Sequence, residues 1–141
     1  MSLTAKKKVL VLGATGFIGR NIVRDLVHKE EYEVYASFHN KDKFDLPNVS
    51  WVYADLLNPR DVEQVIQGMD IIIQAAATTS GAKDIVHSPA QHVTDNAVMN
   101  SYIFRQAFEQ KIDHVIFFSC TVMYESGQTP LKEEDFNGSI H

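Results

Sequence analysis

Val11-Leu12-Gly13-Ala14-Thr15-Gly16-Phe17-Ile18-Gly19 is the stretch on which the fold is decided. It follows Val9-Leu10, so the apolar run from Val9 to Leu12 is unbroken, as a strand covered on both faces requires. After it, Phe17, Ile18, Ile22, Val23, Leu26 and Val27 recur at helical spacing and predict a first helix, directed inward on those residues and ending near Lys29. Between strand and helix, Gly13, Gly16 and Gly19 permit a tight turn, close approach of a pyrophosphate to the backbone, and close helix–strand packing. The helix N-terminus adds unpaired N–H groups and the positive end of a dipole. A Gly-rich turn without a ligand is the plainer account of the same residues. Strand, turn and helix nevertheless stand in the order that a dinucleotide site needs.

Working outward, the same alternation repeats. Glu33 to Phe38 reads as a second strand and Val49 to Tyr53 as a third. Asn58-Pro59-Arg60-Asp61 opens a helix, with Asn as cap and Pro in the first turn, and Gly68 stops it. Met69 to Gln74 is a fourth strand. Ser88-Pro89-Ala90-Gln91 repeats the start signal, with a capping box between Ser88 and Gln91. It opens a long helix to Gln110, with Val93, Ala97, Ile103, Phe104, Ala107 and Phe108 inward. Val115 to Phe118 is a fifth strand, and from Glu125 onward the chain reads as loop. Strands alternating with helices imply an α/β doubly wound parallel sheet, a Rossmann fold of order 3-2-1-4-5, incomplete at its C-terminal edge. A ligand belongs at the carboxyl ends of the strands, where the order reverses.

Composition bounds the rest. The 141 residues suffice for one domain, and 45% hydrophobic with 22% charged residues is ordinary for a globular chain. A net charge of −5 argues against nucleic acid or an anionic membrane as partner. Lys6-Lys7-Lys8 looks like the start of a signal peptide, but the apolar run from Val9 to Leu12 is too short to follow it. No apolar run approaches the roughly 20 residues of a membrane span. The single cysteine, Cys120, leaves no internal disulfide and fits a reducing cytoplasm. His87 and His92 are poorly spaced for two ligands on one helix face, so no metal is expected. Glu133-Glu134-Asp135 reads as a solvated loop.

The glycine stretch closely resembles the opening of the extended short-chain dehydrogenase/reductases, which include the nucleotide-sugar epimerases, dehydratases and reductases. The resemblance recurs in order along nearly the whole chain. Asp55-Leu56 is similar to the Asp-hydrophobic pair that holds the adenine ring in that family. Ala75-Ala76-Ala77 resembles its small-residue segment beneath the nicotinamide side, and Asn96 matches its Asn in the fourth helix. Phe118-Ser119-Cys120-Thr121-Val122-Met123-Tyr124 resembles the Ser-Ser-x-x-Val-Tyr stretch ending its fifth strand. Read singly, each match has a plainer account: Asp55 as a solvated turn residue, the alanines as tight packing, Asn96 as an exposed helix position. The helix period sets Asn96 between Val93 and Ala97, which favours a buried, hydrogen-bonded role.

What the resemblance implies is a site and its gaps. The coenzyme-binding residues would be Gly13, Thr15, Gly16, Phe17, Ile18, Gly19, His39, Asn40, Asp55, Leu56, Ala75, Ala76, Ala77 and Asn96. No acid directly follows Phe38, and His39, Asn40, Lys41 and Lys43 suit a 2′-phosphate. That favours NADP, while Asp42 could curl back and admit NAD. Counting back from Tyr124, the family's catalytic Ser/Thr falls on Cys120, a much weaker donor, with Ser119 and Thr121 as alternatives. No Tyr here is followed four positions on by Lys, the family's acid/base pair. The chain therefore reads as the coenzyme half of a longer enzyme whose substrate domain lies elsewhere, inactive alone, with a nucleotide-sugar as substrate and a homodimer as candidate assembly. Ala75-Ala76-Ala77, Gly81, Pro89, Asp95-Asn96 and Phe118-Ser119-Cys120 look nearest to the reductase–epimerases that make GDP-fucose. The rival reading is a non-catalytic NAD(P)-sensing regulator on the same fold.

Overall fold

The computed structural model describes residues 5–78, 89–119, 124, 129–136 and 138. Along them run β1 (Lys7–Leu12), α1 (Phe17–Leu26), β2 (Tyr32–Phe38), β3 (Val49–Tyr53), α2 (Pro59–Ile66), β4 (Ile71–Gln74), α3 (Pro89–Glu109) and β5 (His114–Phe117). A short 3-10 turn at Glu133–Asp135 follows, where loop alone is expected; Asp135 Oδ2 accepts from the Lys132 N–H at 2.7 Å and closes it.

The strands form one sheet of order β3-β2-β1-β4-β5, parallel throughout, as the alternation predicts. β1 lies at its centre and buries both faces. Leu10 and Leu12 point to one side with Ile72, Val62, Ile66, Met99 and Ile103, under α2 and α3. Val9 and Val11 point to the other with Val34, Ala36, Ile73 and Val23, under α1. Each fully buried Val, Leu or Ile stabilises the sheet by about 1.5–3 kcal/mol, so the two clusters leave no solvated face at β1.

Helix ends follow the local chemistry. Asn58 Oδ1 accepts from the Arg60 N–H at 3.0 Å, with Pro59 at the first position of α2. Gly68, beyond its end, takes a left-handed φ of 74°. The predicted Ser88–Gln91 capping box involves Ser88, which lies outside the described residues.

Two helices turn differently from their predicted faces. On α1, Val23 is buried, but Phe17 is 87% and Ile18 47% exposed. They sit on the first turn, with Ile18 facing the second cleft described below, whereas Ile22, Leu26 and Val27 further along pack partly buried against the core. On α3, Ile103 and Ala107 are buried as expected and Met99 joins them, whereas Val93, Ala97, Phe104 and Phe108 are exposed. The helix packs on Ile72 of β4 and on Val62 and Ile66 of α2, and its other flank faces β5. Phe104 there meets Phe117 edge-on, with ring centroids 5.5 Å apart.

Candidate functional site

At the carboxyl ends of the strands, the turn between β1 and α1 is held by what its glycines lack. Gly13 has φ 74°, and a Cβ on it would lie 2.6 Å from Ala76 Cα, inside the backbone leaving β4. On Gly19 a Cβ would run into the Gly13 carbonyl and Ala14 Cα, so α1 packs directly on the turn. Gly16 differs: its nearest obstacle is the Gly13 carbonyl at 3.3 Å, and it caps α1 without any side-chain bond. The capping glycine thus leaves the helix N-terminus clear.

Ser37, a residue that sequence reasoning missed, ties this turn to β2. It is 2% exposed, its Oγ accepts from the Gly13 N–H at 3.0 Å, and its carbonyl accepts from the Ala14 N–H at 3.2 Å.

A cleft of about 390 Å³ opens beside the turn, with walls from the β1–α1 turn, the end of β2, the segment after β3 and the start of α3. Thr15, His39, Asn40, Asp55, Leu56 and Ala77 line it. Lys41 lines it too, whereas Lys43 lies over the Phe38 ring, 5.9 Å from the centroid. Asp55 is held on both sides. Its N–H donates to Asp61 Oδ2 at 3.0 Å, and its Oδ1 accepts from the Leu57 N–H at 3.0 Å. Its Oδ2 stands 4.0 Å from His39 Nε2.

A second cleft, of about 490 Å³, continues past β4. Ala76 and Ala77 line both, so the two form one groove across the point where the strand order reverses. Ile18, Ala75, Asn96, Phe118 and Ser119 line the second part. Its floor, Ala75 to Thr78, has left the sheet, and side-chain amides take up its backbone groups. Buried Gln74 accepts from the Ala76 N–H at 3.1 Å through Oε1 and donates to the Ala76 carbonyl at 3.2 Å through Nε2, which also donates to Asn100 Oδ1 at 2.9 Å. Asn96 repeats the pattern on Thr78, accepting from its N–H and donating to its carbonyl, both at 3.0 Å, with a further bond to the His92 carbonyl at 2.7 Å. Gln74 and Asn100 carry no motif; a polar residue closing the apolar run of β4 is the only trace that Gln74 leaves in the sequence.

A family model, that of the NAD dependent epimerase/dehydratase family, matches residues 9–141. The chain belongs to this family. Among curated relatives, it is 25% identical to a GDP-L-fucose synthase of Sinorhizobium fredii over 95% of this chain and 40% of that protein. It is also 25% identical to a UDP-glucose 4-epimerase of Vibrio cholerae over 92% of this chain and 40% of that one. An epimerase of Methanothermobacter thermautotrophicus shares the fold with a TM-score of 0.79 at 20% identity, over 97% of this chain and 43% of its own. The chain thus spans about two-fifths of the length of the curated relatives it matches.

Within this family framework, the resemblance-implied residues fall into three groups. Gly13, Thr15, Ile18, His39, Asn40, Asp55, Leu56, the three alanines and Asn96 converge on the groove, while Gly16 caps α1 and Phe17 and Gly19 lie in its first turn beside the groove. Ser119 lies in its second part. Cys120 and Thr121 lie outside the described residues. No group of three potential metal ligands occurs among the described residues, and no described helix is long and apolar enough to cross a membrane.

Proposed function

We propose that this chain is the coenzyme-binding half of an NAD(P)-dependent enzyme that epimerises, dehydrates or reduces a nucleotide-sugar, and that NADP(H) is its preferred coenzyme. The observation that carries the reading is the groove. Its pyrophosphate end is a glycine-capped helix N-terminus with no side-chain bond at the cap, which suits a diphosphate. The donor set fits the rest of a dinucleotide: Asp55 for the adenine edge, the 75–77 backbone for the nicotinamide side, and His39, Asn40 and Lys41 where the ribose 2′ position would fall. When bound, the nicotinamide ring would supply hydride exchange with the sugar. The chain's own residues would hold and orient the coenzyme, and Cys120, or Ser119 or Thr121 beside it, would donate a hydrogen bond to the substrate oxygen. Both curated relatives described above are named for work on nucleotide-sugars, which supports the substrate class.

The 141 residues hold no Tyr with a Lys four positions on, so the proposal includes that they bind coenzyme without turning substrate over. General acid–base catalysis contributes about 10² to 10⁴ in rate, and binding alone does not replace it. Single-turnover oxidation of NADPH, at high protein concentration with a panel of keto-sugar nucleotides, is expected to stay at background. Turnover that vanishes in Cys120→Ala would overturn this part of the proposal.

A further inference from the structure

We propose that His92 recognises the sugar of the substrate: its ring nitrogen Nδ1, shut away from solvent without a partner, is the hydrogen-bonding atom that a hydroxyl of the hexose completes in the second cleft. The inference rests on the reading of the chain as half of a nucleotide-sugar enzyme and adds to it one recognition residue.

His92, Asn96 and Asn100 stand four residues apart on α3 and all line the second cleft, so they form one polar stripe along the helix. Two of the three are engaged with the floor of the groove. Asn100 Oδ1 accepts from Gln74, which holds the Ala76 main chain, and Asn96 holds the N–H and carbonyl of Thr78. His92 breaks the pattern. Its carbonyl accepts from Asn96 Nδ2 at 2.7 Å, but Nδ1 of its ring is closed to solvent and has no hydrogen-bond partner among the described residues.

A buried polar atom without a partner costs free energy, and such an atom in a folded protein calls for a reason. A histidine kept for the fold alone would have its ring fixed by a bond at this nitrogen. Without that bond, the ring turns about Cβ–Cγ, a broad torsion, and brings Nδ1 round to the cleft that it lines. Metal ligation does not account for it, since no group of three potential ligands occurs among the described residues. A ligand in the cleft supplies the missing partner.

The position of His92 identifies the part of the ligand. It lies four residues before Asn96, about 6 Å nearer the start of α3, and so beyond the point at which Asn96 clamps Thr78. The 75–77 floor, assigned above to the nicotinamide side, ends before it, and the next space along the cleft is where a sugar would face the ring. From the β5 side, Phe117, Phe118 and Ser119 line this cleft, and Ile18 and Val93 add apolar surface. None of the described residues lining it is Lys or Arg. A hexose suits such walls, because its ring has an apolar face and its hydroxyls both donate and accept. Neutral imidazole has one donor and one acceptor nitrogen, so a hydroxyl completes Nδ1 in either tautomer.

The test is NMR titration of the NADPH-saturated protein with UDP-glucose and GDP-fucose, with UDP and GDP as sugar-free controls. It compares wild type, His92→Phe and His92→Asn. Phenylalanine keeps a ring without nitrogens, and asparagine keeps a polar atom near the Nδ1 position. His92→Phe is expected to bind the nucleotide-sugars about tenfold more weakly, equivalent to about 1.4 kcal/mol. NADPH, UDP and GDP should bind it as they bind wild type, and its urea unfolding midpoint should not fall, because no bond of the free protein is lost. His92→Asn is expected to recover part of the affinity. If His92→Phe binds the nucleotide-sugars as wild type does, the role of His92 is refuted while the functional reading stands. A lower midpoint, with every ligand weakened alike, would make His92 a residue of the fold and refute it equally. If NADPH binds but neither nucleotide-sugar does, the substrate reading fails and takes this inference with it. If NADPH does not bind, the groove reading fails and both fall.

Discussion

On the side of the groove next to the β1–α1 turn, the walls are backbone segments brought close because side chains are absent; on the β4 side, they are backbone segments secured by side-chain amides. Gly13 and Gly19 exemplify the first half. Each sits where a Cβ would overlap main-chain atoms, and main chain in a packed sheet does not give way cheaply. Gln74 and Asn96 exemplify the second. Each presents a donor and an acceptor to one residue's N–H and carbonyl, replacing the ladder bonds that Ala76 and Thr78 have left. The lesson is that one ligand groove can be shaped either by exclusion or by hydrogen bonding, and the two leave different marks on a sequence.

The contrast breaks first at Gly13. Gly13→Ala is expected to destabilise the protein by about 3 kcal/mol or more, combining left-handed strain with overpacking against Ala76. Gly68→Ala is the matched control, because Gly68 has the same φ of 74° with nothing within 4 Å. Its cost is expected to be about 1 kcal/mol, the strain alone. Urea unfolding of both variants separates the two contributions; equal costs would remove the close approach from the explanation.

Exclusion is legible from sequence because glycine is the only residue that tolerates it, so Gly13 and Gly19, six residues apart between strand and helix, mark the turn outright. The strands are legible for a similar reason, since burial on both faces leaves β1 and β4 little choice but apolar runs. The amide half is nearly silent. Gln74 and Asn100 are ordinary polar residues until the backbone groups opposite them are known, and Ser37 in β2 is indistinguishable from a small filler. The faces of α3 misread for another reason. Its apolar residues satisfy more than one helical stripe, and the choice among Met99, Phe104 and Phe108 depends on where the sheet stops, which is information from β5 rather than from the helix.

Gln74→Ala tests the amide half next. It would strand the Ala76 N–H and carbonyl and Asn100 Oδ1 in a region where Gln74 itself is 2% exposed. A loss of about 2–3 kcal/mol is expected, within the range for unsatisfied buried groups. Asn96→Ala removes the matching clamp at Thr78 but at a half-buried position where water can substitute, so about 1 kcal/mol is expected. Denaturant midpoints order the two; an Asn96 variant costlier than the Gln74 variant would reverse the ranking by burial.

The central claim, that the groove above the β1–α1 turn binds a dinucleotide coenzyme, is tested most directly by calorimetric titration of NADPH and NADH into wild type and Gly16→Val. Position 16 has an extended backbone at φ −76° and ψ 172°, which valine accepts, and its only close neighbour is the Gly13 carbonyl at 3.3 Å. That contact is tight and the Gly13 backbone must shift slightly to relieve it, so the variant is expected to fold with a modest loss of stability while its branched side chain stands at the N-terminus of α1. The account predicts binding to wild type and a loss of about 100-fold or more in Gly16→Val, or roughly 2.8 kcal/mol, measured below the variant's own unfolding midpoint. Wild type that binds neither coenzyme, or a folded Gly16→Val that binds as tightly as wild type, would contradict it.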